Sequence, residues 1–389
     1  MQGEERLIIK NFACIKNIDI ELKRFTVFIG EQASGKSITC KAYFFLKHVF
    51  FGHVLETICY NSDVDISQVL NSTREEFEKF FPAYMWRNDT FTLEWRKQDI
   101  WLKIEHRKNA STIRISCSPL LTELYGKIHK RVNIESAKQR KEGIPIRVQR
   151  LELLLSTLVD YTKQLGFETV AYIPAGRSFF STIQRTVFTL LAENKGIDPF
   201  LREFGKFYEQ ICDMVRFDEI DYAQARGRKI ESVLKGKYKF EGKEHWLVCG
   251  NKTIRVADTS SGQQEALPLL LGLHSLASHR KQSSVVIEEP EAHLYPLAQQ
   301  TIISLVYDLL GHEEKANRKC LLTTHSPYIL ACINNEIMKD DYKRRNDVAA
   351  YHLHDGVATD IFNKDTGLIY AKEFDEISFT IANDSSQEE

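Results

Sequence analysis

The sequence lacks most of the features that would make a simple reading possible. Its eight cysteines, at positions 14, 40, 59, 117, 212, 249, 320 and 332, include no C-x-x-C pair and no short Cys/His spacing. That excludes a zinc ribbon or a thioredoxin-like motif and leaves free thiols as the expectation. The longest nearly apolar run, Ala266 to Ala277, is broken by Pro268, Gly272 and His274. A membrane-spanning helix needs about 20 apolar residues, so no span is expected. The polar, acidic start Met-Gln-Gly-Glu-Glu-Arg is not a signal peptide, and a soluble cytoplasmic protein is expected. Net charge is also absent: 52 Lys+Arg against 53 Asp+Glu removes the argument for a globally basic surface. No period of 20 to 50 residues points to a solenoid or propeller.

What is present is an ordinary globular composition over 389 residues, enough for two or three structural units. Ile15 to Leu22 alternates apolar and polar, and the fully apolar Phe25 to Ile29 follows, so half-exposed strands lead into a buried one. The sequence turns helical from about Ser37 to Leu55, and from Asn61 to Asp89 it is mixed and polar. Alternation returns between Phe91 and Cys117 as a hairpin with a partner strand. Residues 120 to 165 read as charged helix, and Phe200, Phe204, Phe207, Tyr208, Ile211 and Val215 recur as one face of an amphipathic helix. Strands resume at KYKFEG, HWLVCG and TIRVAD, and helix and strand then alternate.

The segment after the first buried strand carries the chemistry. Gly30-Glu31-Gln32-Ala33-Ser34-Gly35-Lys36-Ser37, followed by Ile38, fits G-x-x-x-x-G-K-[ST] between a strand and a helix. In this motif the glycines let backbone N–H groups face phosphate oxygens, Lys36 reaches the β- and γ-phosphates, and the Ser37 hydroxyl coordinates Mg²⁺. Far downstream the buried strand Ser284 to Ile287 runs into Glu288-Glu289-Pro290-Glu291. Paired acids there suit a metal-bound phosphate site, with Glu288 assigned to the metal and Glu289 to an attacking water. A third strand, Leu321 to Thr324, ends in His325, which either donates to a γ-phosphate or caps the next helix. Neighbouring parallel strands would bring these ends together. Ser260-Ser261-Gly262-Gln263 before an apolar helix reads as a second anion site or as a Ser-rich cap. The second anion site makes sense if it completes the nucleotide site of another subunit.

The order NFACIKNIDIEL, FIGEQASGKS, SSGQQE, VVIEEPEAHLYP, LLTTHSP resembles the ABC-type ATPases of the SMC, RecF and OLD group. Within that group the sequence is closest in flavour to the stand-alone AAA-family ATPases of bacterial antiphage defence. The motifs cover 1–55 and 236–360; the middle contributes only Tyr172-Ile-Pro-Ala-Gly-Arg177, similar to a motif of the defence subgroup. The resemblance implies a head-to-tail homodimer or higher assembly around ATP and Mg²⁺. Ser260 to Gln263 of one subunit would contact the γ-phosphate of the other, Glu289 would be the base and His325 the switch histidine. Glu288 departs from the usual Asp, which implies slow turnover. Gln68, Gln98 and Gln184 all compete for the Q-loop role, and Arg177 reads either as a phosphate or signalling contact or as a structural salt bridge.

The fold class expected is α/β, an ABC-ATPase head with a mixed sheet and antiparallel β lobe. Its halves would be 1–118 and 236–364, separated by a mainly helical insertion, 119–235, with a core strand near 170–173, and followed by an acidic tail, 365–389. Only about 60 residues follow His325, fewer than the Toprim nuclease of OLD proteins occupies. No nuclease activity of its own is expected, and any nuclease or toxin effector would be a separate protein. The function this implies is an ATP-dependent sensor or regulator in defence against phage. The competing reading is a RecF/SMC-like ATPase that clamps DNA through residues 126–150, where eight Lys/Arg stand against two Asp/Glu. A transporter motor fits less well, because the sequence between the motifs is long.

Overall fold

The computed structural model describes residues 4–60, 65–86, 90–138, 144–165, 169–182, 197–217, 220–241, 244–279, 283–311 and 318–370. Arg140, Lys141, Gln184 and 371–389 therefore lie outside the described residues.

The chain opens with strands β1 (Glu5–Phe12), β2 (Ile15–Leu22) and β3 (Phe25–Ile29) and helix α1 (Lys36–Phe44). A π-helical turn, Phe45–Val49, joins α1 to α2 (Phe50–Tyr60), and α3 (Ile66–Phe80) follows. Then come β4 (Phe91–Lys97), β5 (Ile100–His106), β6 (Arg114–Cys117), α4 (Pro119–Lys138), α5 (Ile146–Leu165), β7 (Thr169–Ile173) and α6 (Ser178–Thr182). Beyond these lie α7 (Pro199–Phe217), α8 (Ala225–Leu234), β8 (Lys237–Glu241), β9 (Glu244–Cys249), β10 (Lys252–Arg255) and α9 (Ser261–His279). The last elements are β11 (Ser283–Glu288), α10 (Pro296–Leu310), β12 (Lys319–Thr324), α11 (Pro327–Lys339), β13 (Val348–His354), β14 (Val357–Asp360), β15 (Phe362–Asn363) and β16 (Leu368–Ile369).

Eleven strands form one sheet in the order β6-β5-β4-β1-β2-β14-β13-β3-β12-β11-β7. The run β13-β3-β12-β11-β7 is parallel, whereas β6, β5, β4, β1 and β2 pair antiparallel. This is the mixed sheet with an antiparallel lobe that the motifs imply. The two regions differ because burial differs: β3 and β12 are buried at every position, as strands covered by helices on both faces must be. β1 and β2 instead alternate buried and exposed residues. Alternation also assigns the faces. Phe28 and Leu321 join a core with residues of α1 to α5, while Val27, Ile29 and Leu322 join one with residues of α7 to α11.

Three local results go beyond the sequence reading. Helix α3 lies in the stretch read as mixed and polar. Its buried stripe is only Val69, Thr73, Phe77 and Phe80, and it starts on a capping box in which the Gln68 N–H donates to Asp65 at 2.9 Å and the Asp65 N–H to the Gln68 amide oxygen at 3.1 Å. A polar Thr73 in the stripe hides the period. Second, β8, β9 and β10 form their own three-stranded sheet. Third, a buried charge cluster crosses the main sheet: Glu5 pairs with Lys319, accepts from Trp95 Nε1 at 2.6 Å and lies 4.0 Å from Lys47 of the π-turn. The α7 stripe is buried as read for Phe200, Phe204, Phe207, Tyr208 and Ile211. No described helix is long and apolar enough to cross a membrane.

Candidate nucleotide site

The parallel order β3-β12-β11 brings three loop ends to one edge: Ile29 pairs with Thr324, and Thr323 with Glu288. The loop after β3 needs glycine where it starts. Gly30 has φ 153°, and a Cβ there would sit 2.2 Å from the Leu353 carbonyl oxygen of β13. The loop then passes exposed Glu31, Gln32 and Ala33 and buried Ser34 to Gly35, the N-cap of α1. Ser37 is exposed and Ile38 half-buried. Lys36 is buried, and its ammonium donates to the carbonyls of Gly30 at 2.7 Å and Glu31 at 2.6 Å. Burial lowers its pKa, while the Glu289 and Glu291 carboxylates oppose that shift. These loop carbonyls hold the ammonium where phosphate oxygens would compete for it.

β11 ends on Glu288, which is 6% exposed and whose Oε1 has no hydrogen-bond partner among the described residues. An orphaned buried carboxylate oxygen is costly unless a cation completes it, so the residue fits a metal-holding role. Among the described residues no cluster of three His, Cys, Asp or Glu could hold a metal alone. Mg²⁺ needs none, since it keeps waters and shares phosphate oxygens. Burial first, and then the Glu288 charge, raises the Tyr172 hydroxyl and Cys40 thiol well above their ordinary pKa.

Glu289 sits in left-handed backbone, φ 43°, with its N–H donating to the Thr323 carbonyl at 3.0 Å. Its Oε1 lies 3.3 Å from His325 Nε2, and His325 Nδ1 lies 3.5 Å from the Lys36 ammonium. The half-exposed His325 thus stands between the loop lysine and Glu289. Sequence reading gave no role to Glu291, yet its Oε1 accepts from the Thr324 hydroxyl and from the His325 N–H, both at 2.7 Å. A third acid, three residues after Glu288 and opposite a Thr-His strand end, was the available signal.

Arg177 is buried against the backbone around the site. Its side chain is 0% exposed, and its guanidinium donates to the carbonyls of Glu265 (3.0 Å), Pro174 (3.1 Å), Glu288 (2.9 Å) and Glu289 (3.1 Å). The Glu265 carboxylate adds an ion pair at 3.6 Å. Burial lowers the Arg177 pKa and Glu265 opposes the change. The structure thus places Arg177 in an ion pair with Glu265 and in bonds to four backbone carbonyls.

Ser260 and Ser261 are exposed where α9 begins, with Gly262 and Gln263 half-buried. The Gln263 amide oxygen accepts from the Ser260 N–H at 3.2 Å, and its amide nitrogen donates to the Leu234 carbonyl at 2.6 Å. A Cβ on Gly262 would lie 2.7 Å from the His293 carbonyl oxygen, so only glycine allows this approach to the loop after β11. Among the described residues, none of these four bonds to residues 30–38. The Q-loop candidates are also placed: the Gln68 amide is engaged in the cap of α3, and Gln98 lies in the β4–β5 turn. Gln184 is outside the described residues.

Residues 177–330 match the family model for the AAA ATPase domain. Over that span the chain is similar to an AAA ATPase domain. The matched span runs from Arg177 through Ser260, Glu288, Glu289 and His325, and the P-loop precedes it. No curated protein matches the sequence. Among solved structures, the SMC head bound to the C-winged helix domain of ScpA is 13% identical with a TM-score of 0.44, over 92% of this chain and 97% of that one. The SMC head domain from Thermotoga maritima is 12% identical, TM-score 0.40, over 93% and 98%. RecF with ATP, a recombination mediator of the RecFOR pathway, is 10% identical, TM-score 0.39, over 92% and 100%.

Proposed function

We propose that this ATPase-domain protein binds ATP with Mg²⁺ at residues 30–38, and that Glu289 orients and deprotonates the water that attacks the γ-phosphate. Glu288 and Ser37 would hold the Mg²⁺, whose charge offsets that developing on the phosphate oxygens. His325, 3.3 Å from Glu289 and 3.5 Å from Lys36, would donate to the γ-phosphate. The observation that carries this reading is the convergence of Lys36, Glu288, Glu289 and His325 on one edge of three adjacent parallel strands. Ser260 to Gln263 make no bond to the loop of their own chain, and the seryl pair is exposed. That supports a head-to-tail dimer in which they complete the partner's site. Lys36→Ala should weaken ATP binding by on the order of a hundredfold, because truncating one side of a desolvated charge pair costs about 2–5 kcal/mol. Unchanged affinity in calorimetry overturns the reading.

We further infer that this cycle regulates a separate effector, a nuclease or toxin, in bacterial antiphage defence. The support is the order of motifs and the Tyr172 to Arg177 segment. A stable complex with a co-expressed effector that Lys36→Ala abolishes would bear this out; phage sensitivity unaltered by deleting the protein would sink it. One observation favours a DNA-clamping function instead: Lys127, Lys130 and Lys138 are exposed along α4. On that reading duplex DNA binds with a steep salt dependence that Lys127→Glu and Lys130→Glu remove. Duplex binding absent at low salt excludes it.

A further inference from the structure

On the face formed by α8, α10 and α11 lies an open cleft of about 370 Å³, lined by Arg228, Lys229, Gln300, Ser304, Glu336 and Lys339 among others. Each of its three helices leads to one element of the nucleotide site. α10 follows the loop that carries Glu289, and α11 begins two residues after His325. α8 ends at Leu234, whose carbonyl accepts from Gln263. An occupant would therefore bear on helices attached to all three loops.

The lining selects the occupant's chemistry. It is polar and carries three cations, so it suits carboxylates on an extended peptide better than an apolar helix face. The lysines are engaged but their ends stay open to solvent: Lys229 pairs with Asp308 at 2.7 Å and donates to Ser304 at 2.9 Å, and the exposed Lys339 pairs with the buried Glu336 at 2.7 Å. An ammonium open on one side can share an incoming carboxylate. Arg228 donates to the Ala223 carbonyl, which leaves its charge uncompensated by any ion pair among the described residues.

An acidic segment begins beside this cleft. β16 is fastened to α11 by two bonds: the Asn334 amide nitrogen donates to the Ile369 carbonyl at 2.9 Å, and the Ile369 N–H donates to the Asn334 amide oxygen at 2.8 Å. Lys339 is five residues further along the same helix, about 7.5 Å of rise. Residues 371–389 carry six Asp/Glu against one Lys. Their first acids, Glu373, Asp375 and Glu376, follow Tyr370 by three to six residues, and at up to about 3.5 Å per residue that spans the turn around α11.

We propose that the cleft between α8, α10 and α11 is the docking site of the chain's own acidic segment, 371–389, with Glu373, Asp375 and Glu376 paired to Arg228, Lys229 and Lys339. Docking ties residues 371–389 to the helices behind Glu289 and His325, and it does not depend on the nucleotide chemistry proposed above.

The test uses the full chain with a benzophenone amino acid at Phe374, irradiated and mapped by mass spectrometry. Adducts are expected within the same chain on peptides from 225–234, 296–310 and 327–339. R228E/K229E/K339E should lower their yield about tenfold, which is about 1.4 kcal/mol shared over three rim pairs. Adding E373K/D375K/E376K to that variant should restore the yield. E373K/D375K/E376K alone leaves the folded cleft untouched and must lower the yield equally, which keeps the test decisive if the cleft variant misfolds. Adducts on other surfaces, adducts between chains, no adducts, or a yield indifferent to both charge sets would overturn the proposal.

Discussion

Arg177 ties Glu289 to Glu265: one guanidinium donates to both backbone carbonyls, at 3.1 Å and 3.0 Å, and thereby fastens the loop after β11 to the helix that starts at Ser261. The attachment matters because Glu289 is held in left-handed backbone, a conformation costing about 1–3 kcal/mol in a non-glycine residue. Arg177→Met keeps the volume but strips four buried carbonyls of their donor. We expect a loss of about 3–5 kcal/mol in urea unfolding. Arg177→Lys should recover part of that stability but not the four-way fork. A loss below about 1 kcal/mol for the methionine variant would mean that the turn is held by other contacts.

Glu289→Gln tests the assignment of the two acids. The glutamine retains the side-chain shape and cannot take a proton. ATP binding is expected to persist while hydrolysis falls by a factor of about 10²–10⁴. A species of twice the monomer mass should accumulate with ATP in light scattering. Normal turnover would show that Glu289 is not the base.

His245 supplies a pH prediction. It is 4% exposed, beside the Tyr238 hydroxyl at 2.7 Å, and burial pulls its pKa from 6.5 down to about 4. A depressed pKa means the unfolded chain binds the proton first. The neutral imidazole's contribution is complete above pH 6.5 and is lost as pH falls toward 4, amounting to about 2 kcal/mol by pH 5. The unfolding free energy of His245→Phe should therefore fall less between pH 7 and 5 than that of the parent. Parallel curves would show that His245 is not buried neutral.

The nucleotide edge was legible in the sequence because its strands are short, largely apolar and end in chemistry: Phe25 to Ile29 before the glycine loop, Val285 to Ile287 before Glu288, Leu321 to Leu322 before Thr324 and His325. Those patterns are local. Glu291 escaped, and Arg177 stayed open between two readings, because their contacts exist only after distant segments meet. Arg177 follows β7, which reaches the Glu288 loop by pairing Ile173 with Ile287, and Glu291 acts across to the end of β12. The acids at 288, 289 and 291 are alike as residue types, yet their surroundings differ: Glu288 is buried with Oε1 unpartnered among the described residues, Glu289 is half-exposed on left-handed backbone, and Glu291 uses Oε1 as a clamp while its Oε2 is likewise unpartnered. Helix α3 escaped for a different reason, the threonine in its apolar stripe.

The strand that precedes the glycine loop has both of its neighbours at the far end of the chain: Phe25 pairs with Cys320 on one side and with Val348 on the other. During synthesis, β3 must wait with both edges open until some three hundred further residues have been made. At roughly 5–20 residues per second that is a delay of order tens of seconds for a bare apolar strand, a hazard chaperones answer. The same delay orders the assembly of the site: Leu353, whose carbonyl crowds Gly30, arrives with β13, so the contact that demands glycine at position 30 forms only once β13 has been made.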